Sequence, residues 1–164
     1  MPPITTTIEV DRPAEEVFAY VTNPNRFAEW QHGVVGGHMD RDGPLVVGDR
    51  CMTTRKIGGA ERSVTSELTH IDPPNTWGVR AIDGPIRAIV DVTVSPVRDG
   101  RRSRVRIDLD FKGHGIGKLL VPLFVRPSAR REMPENLNRL KQRLDREFPS
   151  ASGHEPPSGG EARV

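Results

Sequence analysis

Val105-Arg-Ile107-Asp-Leu109-Asp-Phe111 alternates apolar and charged side chains, and beyond Gly113 the residues Met133, Leu137, Leu140 and Leu144 recur at spacings of four, three and four. The first pattern is a strand with one buried face, and the second is a helix with one apolar stripe. The chain therefore changes from strand to helix near Gly113. Ile116 to Val125 is apolar on most sides and contains Pro122, with Pro127 and Pro134 beyond it. Proline past the first turn removes a backbone hydrogen bond, so a long but interrupted C-terminal helix is expected.

Working back from that strand, turn signals punctuate the chain at Asp40–Pro44, Gly58-Gly59, Asp72–Asn75, Asp83–Pro85 and Arg98–Arg101. The intervals suit antiparallel hairpins and are too short for helical crossovers. Val90, Val92 and Val94 alternate, as do Trp77, Val79 and Ala81. Six strands are expected between His32 and Gly113. At the start, Ile4-Thr-Thr-Thr-Ile8-Glu-Val10 makes a seventh. Pro13–Val21 follows as a short helix with glutamates in its first turn, and Asn25–Trp30 as a second. Only one long amphipathic element can cover the apolar face of such a sheet. The expected fold is α+β, a seven-stranded curved antiparallel sheet wrapped around a long C-terminal helix, with two short helices between strands 1 and 2. The wrapping leaves a void with aliphatic and aromatic walls.

The 164 residues carry 24 basic and 22 acidic side chains, a net charge of +2. This length is one domain, expected over residues 1–148. Pro149–Val164 is rich in Pro, Gly and Ser and is expected to be a disordered tail. No apolar run is long enough to span a membrane. The N-terminus has neither the basic start nor the apolar stretch of a signal peptide, and the lone Cys51 suits a reducing compartment; both point to the cytoplasm.

The opening block Ile8-Glu-Val-Asp-Arg-Pro-Ala-Glu-Glu-Val-Phe-Ala-Tyr-Val21 with Asn23-Pro24 resembles the SRPBCC, or START-like, superfamily. Phe27-Ala-Glu-Trp30, Val47-Gly-Asp-Arg50, Glu67–Pro74, Gly84-Pro85 and Leu137–Lys141 extend the resemblance over nearly the whole domain, and the polyketide cyclase/dehydrase-like subgroup is the nearest. The resemblance implies the helix-grip (birch-pollen-allergen) fold and a cavity for a small hydrophobic ligand, such as a lipid, polyketide or isoprenoid-like molecule. Its members include carriers, aromatic cyclases and a ribosome-associated toxin. A cyclase/dehydratase-type enzyme without metal and an interaction module using a basic surface are therefore the alternatives.

The expected ligand-binding wall is Trp30, Arg55, Trp77, Val79, Val92, Leu109, Phe111, Leu120 and Phe124. Thr54, Ser66, Asp91 and His32 are further polar candidates, and Tyr20 reads as a packing residue. The histidines at 32, 38, 70, 114 and 154 are scattered, so neither metal nor cofactor is expected. Gly113-His-Gly-Ile-Gly117-Lys118 falls one residue short of the phosphate-loop spacing, and Leu119 stands where Ser or Thr is needed. Its glycines read as a hinge beside the proline-rich helix segment, either an entrance for ligand or a fit to the sheet's curvature. The arginines at 98, 101, 102, 104 and 106 form a basic hairpin without interleaved aromatics, which argues against nucleic acid.

Overall fold

The computed structural model describes residues 1–147; the expected tail, Pro149–Val164, lies outside the described residues. Strand β1 (Ile4–Val10) leads into α1 (Ala14–Val21), a 3-10 turn (Pro24–Arg26) and α2 (Phe27–Trp30). Strands β2 (Val34–Met39), β3 (Arg50–Ile57), β4 (Ala60–Asp72), β5 (Thr76–Ala81), β6 (Ile86–Val97) and β7 (Arg102–Gly113) follow. The chain closes with α3 (Gly117–Leu120), a π turn (Val121–Val125) and α4 (Arg126–Glu147). The sheet has seven strands in the order β1-β7-β6-β5-β4-β3-β2 and curls around α4. All neighbours are antiparallel. This is the helix-grip fold.

Local chemistry explains the boundaries. Pro13 is extended at the start of α1, and Glu15 and Glu16 sit where the helix dipole favours negative charge. The Asn23 side chain accepts from the Asn25 backbone N–H and starts the 3-10 turn, which splits the expected second helix. Arg98 and Asp99 adopt positive φ (48° and 60°) and tighten the β6–β7 hairpin.

The interrupted C-terminal helix takes a specific form. The Arg126 N–H bonds the Val121 carbonyl, five residues back, and Pro122 has no N–H to offer. Arg126 is buried and anchors the next turn, donating to Asp110 Oδ1 (2.8 Å) and to the Pro2 carbonyl. Gly117 is pressed against the β5–β6 loop, where a Cβ would overlap the Pro85 carbonyl. These contacts favour fit to the sheet over a loose hinge.

The core lies where α1, α2 and α4 meet the concave face. Leu140 and Leu144 on α4 have no exposure, and Leu137 has 1%. They pack with Val10, Leu68, Trp77, Val94 and Val105. Cys51 on β3 belongs to the same core, and burial pushes its thiol up to about 12. Native Cys51 should therefore resist thiol reagents near pH 8 and react at once in denaturant. The unfolded thiol, ordinarily near 9, loses its proton first as pH rises, so stability should fall between there and about 12. Rapid labelling of the native protein would show that the thiol is accessible.

Candidate functional site

Burial falls off along each strand toward one end of the sheet. On β7, Val105 and Ile107 are 0% and 3% exposed, whereas the next inward residues, Leu109 and Phe111, are half-buried. On β6, Val94 and Val92 are buried while Val90, Ala88 and Ile86 are half-buried. On β4, Leu68 is buried, Val64 and Ser66 are half-buried, and Arg62 is exposed. The registers Val90↔Leu109, Val92↔Ile107 and Cys51↔Ser66 put these residues on one face. The stripe of α4 closes one half of the concavity. The other half lies under α3, the π turn and the first turns of α4, and its inward side chains keep accessible surface. The result is a half-covered concave surface with mainly apolar side chains, the candidate cleft.

Arg55 enters this cleft from β3. It is half-buried, with its guanidinium surrounded by protein, and Nη2 donates to Gln31 Oε1 (3.1 Å). Desolvation lowers its pKa below the usual arginine value, opposed by the charge of Glu132 on α4. A guanidinium so placed offers remaining donors to a carbonyl or carboxylate. Two further donors are buried in the core: among the described residues, the indole N–H groups of Trp30 and Trp77 find no acceptor. Both rings pack edge-on against Phe27, with centroids 6.1 and 6.2 Å away.

The expected wall thus divides into three groups. Leu109, Phe111 and Leu120 are half-buried at the cleft, with Arg55 among them. Trp30, Trp77, Val79 and Val92 are buried in the closed core, with Val92 only 2% exposed between its register partners Trp77 and Ile107. Phe124 turns to the outside and is 64% exposed. It lies in the π turn, whose wider repeat sets its side chains at a different angle from those of a regular α-helix.

The other polar candidates scatter. Ser66 faces inward, but Thr54 and Asp91 lie on the convex face, where Asp91 Oδ1 is 3.7 Å from His70 Nδ1. His32 is exposed, and its backbone N–H donates to Asn136 Oδ1. Tyr20 packs in the core and donates to Glu29 Oε2; burial and that carboxylate raise its pKa. Val90, half-buried opposite Leu109, belongs beside the named residues; its even-position alternation with Val92 was the available signal. Among the described residues no three His, Cys, Asp or Glu side chains are grouped to hold a metal.

The basic hairpin is largely neutralised. Arg102 pairs with Asp11 (2.5 Å), Arg104 with Glu9 (2.9 Å) and Arg106 with Asp108 (2.8 Å). A surface indentation of about 390 Å³ beside this hairpin is lined by Arg98, Arg101 and Arg102 with Asp11 and Asp99, and so by both charges.

Solved structures share this architecture. The Zhui aromatase/cyclase from Streptomyces sp. R1128 is 14% identical with a TM-score of 0.74, over 92% of this chain and 97% of that one. A START superfamily protein from Mycobacterium smegmatis is 14% identical with a TM-score of 0.64, over 90% and 97%. At such identities the likeness is one of fold. Two uncharacterized proteins of Mycobacterium tuberculosis are 35% identical over 71 residues, which is 43% of this chain. The match spans about a third (32%) of the length of those curated relatives. Broader in reach than any of these local identities, the family described as polyketide cyclase / dehydrase and lipid transport matches residues 1–145, from β1 through α4, and the chain belongs to that family.

Proposed function

We propose that this protein binds a small, largely apolar molecule of polyketide, lipid or isoprenoid character in the cleft between the sheet and the C-terminal helix. The observation that carries the reading is the half-buried inward face formed by Val64, Val90, Leu109 and Phe111 with Arg55 set into it. Apolar area removed from water there contributes about 25 cal/mol per Å², before the cost of ordering the ligand. Arg55 orients a polar end, and a ligand oxygen that reaches the indole N–H of Trp30 or Trp77 relieves a buried unpaired donor.

cis-Parinaric acid, an apolar fluorescent carboxylate, tests this. It should bind the folded protein in a one-to-one ratio. Val90→Phe should weaken it by at least about tenfold by filling the cleft, with the thermal midpoint little changed. Arg55→Leu should weaken the acid more than its methyl ester. Binding that appears only in partly denaturing urea, or that ignores Val90→Phe, would exclude a preformed site.

A cyclase or dehydratase is the second reading, favoured by the same arginine. A carbonyl attacked by an enol carbon becomes an oxyanion, which a desolvated guanidinium stabilises. Loss of water from the resulting alcohol lowers the ligand's mass by one water, whereas a carrier returns its ligand unchanged. Mass spectrometry of ligand released after incubation separates the two.

A further inference from the structure

We infer that the segment from Ile116 to Phe124 is a docking face for an anionic lipid bilayer. Ile116, Leu119, Leu123 and Phe124 are 68%, 61%, 57% and 64% exposed, within nine residues of chain. They run from the residue before α3 through the π turn, with exposed Pro122 among them and exposed Pro127 just beyond. Single exposed apolar residues are ordinary, but four of this size in one short stretch mark an interaction surface.

Charge identifies the partner. From Lys112 to Arg131 the chain has five basic residues and no acidic one, although the whole chain carries 24 against 22. Arg126 is committed to Asp110. Lys112, Lys118, Arg130 and Arg131 are exposed and flank the apolar residues along the chain. Apolar side chains in the headgroup–acyl boundary, with Lys and Arg at the phosphate level, are the composition of a helix that lies in a membrane surface. A second copy of the chain fits less well, because a two-fold contact through this face sets each basic flank near its own counterpart.

The position in the fold agrees. The His114 N–H bonds the Pro85 carbonyl, so the segment sits beside the β5–β6 loop at the open end of the cleft. The β3–β4 hairpin tip is at the same end of the sheet and carries Ile57, 53% exposed, next to Lys56. The described helices include none long and apolar enough to cross a membrane, so the contact is peripheral.

Flotation of the full chain tests this, using vesicles of phosphatidylcholine with an equal part of phosphatidylglycerol, against phosphatidylcholine alone. The protein should float with the mixed vesicles at low salt, and less as salt rises. Leu119→Ser/Leu123→Ser/Phe124→Ser should weaken binding by at least about tenfold. Lys118→Glu/Arg130→Glu/Arg131→Glu should weaken it by roughly a hundredfold. All six substituted positions are exposed and lie outside the cleft wall, so cis-parinaric acid binding should survive in both variants and report an intact fold. Separately, Phe124→Trp emission should shift to the blue on adding mixed vesicles. Failure of the parent to float, equal flotation of the serine variant, or a dimer that shifts the Phe124→Trp emission to the blue without vesicles would each overturn the proposal.

Discussion

Ile107→Asp should unfold the protein or cost several kcal/mol in urea denaturation. Ile107 is 3% exposed on the concave face of β7, between β1 and β6 and beneath the helical layer. A carboxylate there is stripped of water, and none of the inward residues that share its register, Thr6 and Val92, offers a positive charge. Its sequence neighbour supplies the control. Asp108 faces outward, pairs with Arg106 and accepts from Thr5, and those partners hold its pKa below the usual carboxylate range. Asp108→Asn removes a surface pair and should cost less than about 1 kcal/mol near neutral pH. Similar losses in both variants would show that the two faces of β7 are assigned the wrong way round.

Trp77→Ala should cost about 3–5 kcal/mol, with an unchanged urea slope. Trp77 is 2% exposed and packs edge-on against Phe27, which itself packs against Trp30. Deleting the indole leaves a cavity that three neighbouring elements cannot close. Phe124→Ala removes another large aromatic side chain, yet it should change stability by less than about 0.5 kcal/mol, because that ring is already in water. The pair of substitutions separates core from rim among residues that sequence alone groups together.

That grouping shows what is legible in a sequence of this kind. Alternation over Val105–Phe111 reads correctly because a sheet buried on one side imposes a period of two. The same rule brings Leu109 and Phe111 to the concave face. It does not say how deeply each lies, because depth depends on which part of the sheet α4 covers. Val92 and Val90 look alike in sequence, and only the position of the helix closes one and leaves the other half-open. Facing is harder in strands with irregular pairing: a register shift separates Val34 from Gly36, and another separates Leu68 from His70. Thr54 and Arg55 are adjacent, so one of them must face away, and the sequence carries no cue for which. Phe124 differs for another reason: its stretch, Ile116–Val125, is apolar on most sides, and such a pattern does not say which side chains turn outward.

The pairing of the first strand with the last has a consequence for how the chain is made. β1 pairs with β7, joining Ile4 to Leu109 and Val10 to Ser103, and the Ser103 hydroxyl donates to the Arg12 carbonyl. On the ribosome, the first strand emerges long before its partner exists. Hairpins β3 through β7 need only short loops and can form in order, but the edge at β7 stays open until the distant N-terminus returns, at the entropic cost of a long loop. During that interval β1 is an unpaired strand in a crowded cell. Its three consecutive threonines lower the apolar content of that strand while retaining the β-branched shape that the final pairing needs. Nascent chains halted before β7 emerges should be open to a protease at Thr5–Thr7, and those halted after α4 emerges should be closed.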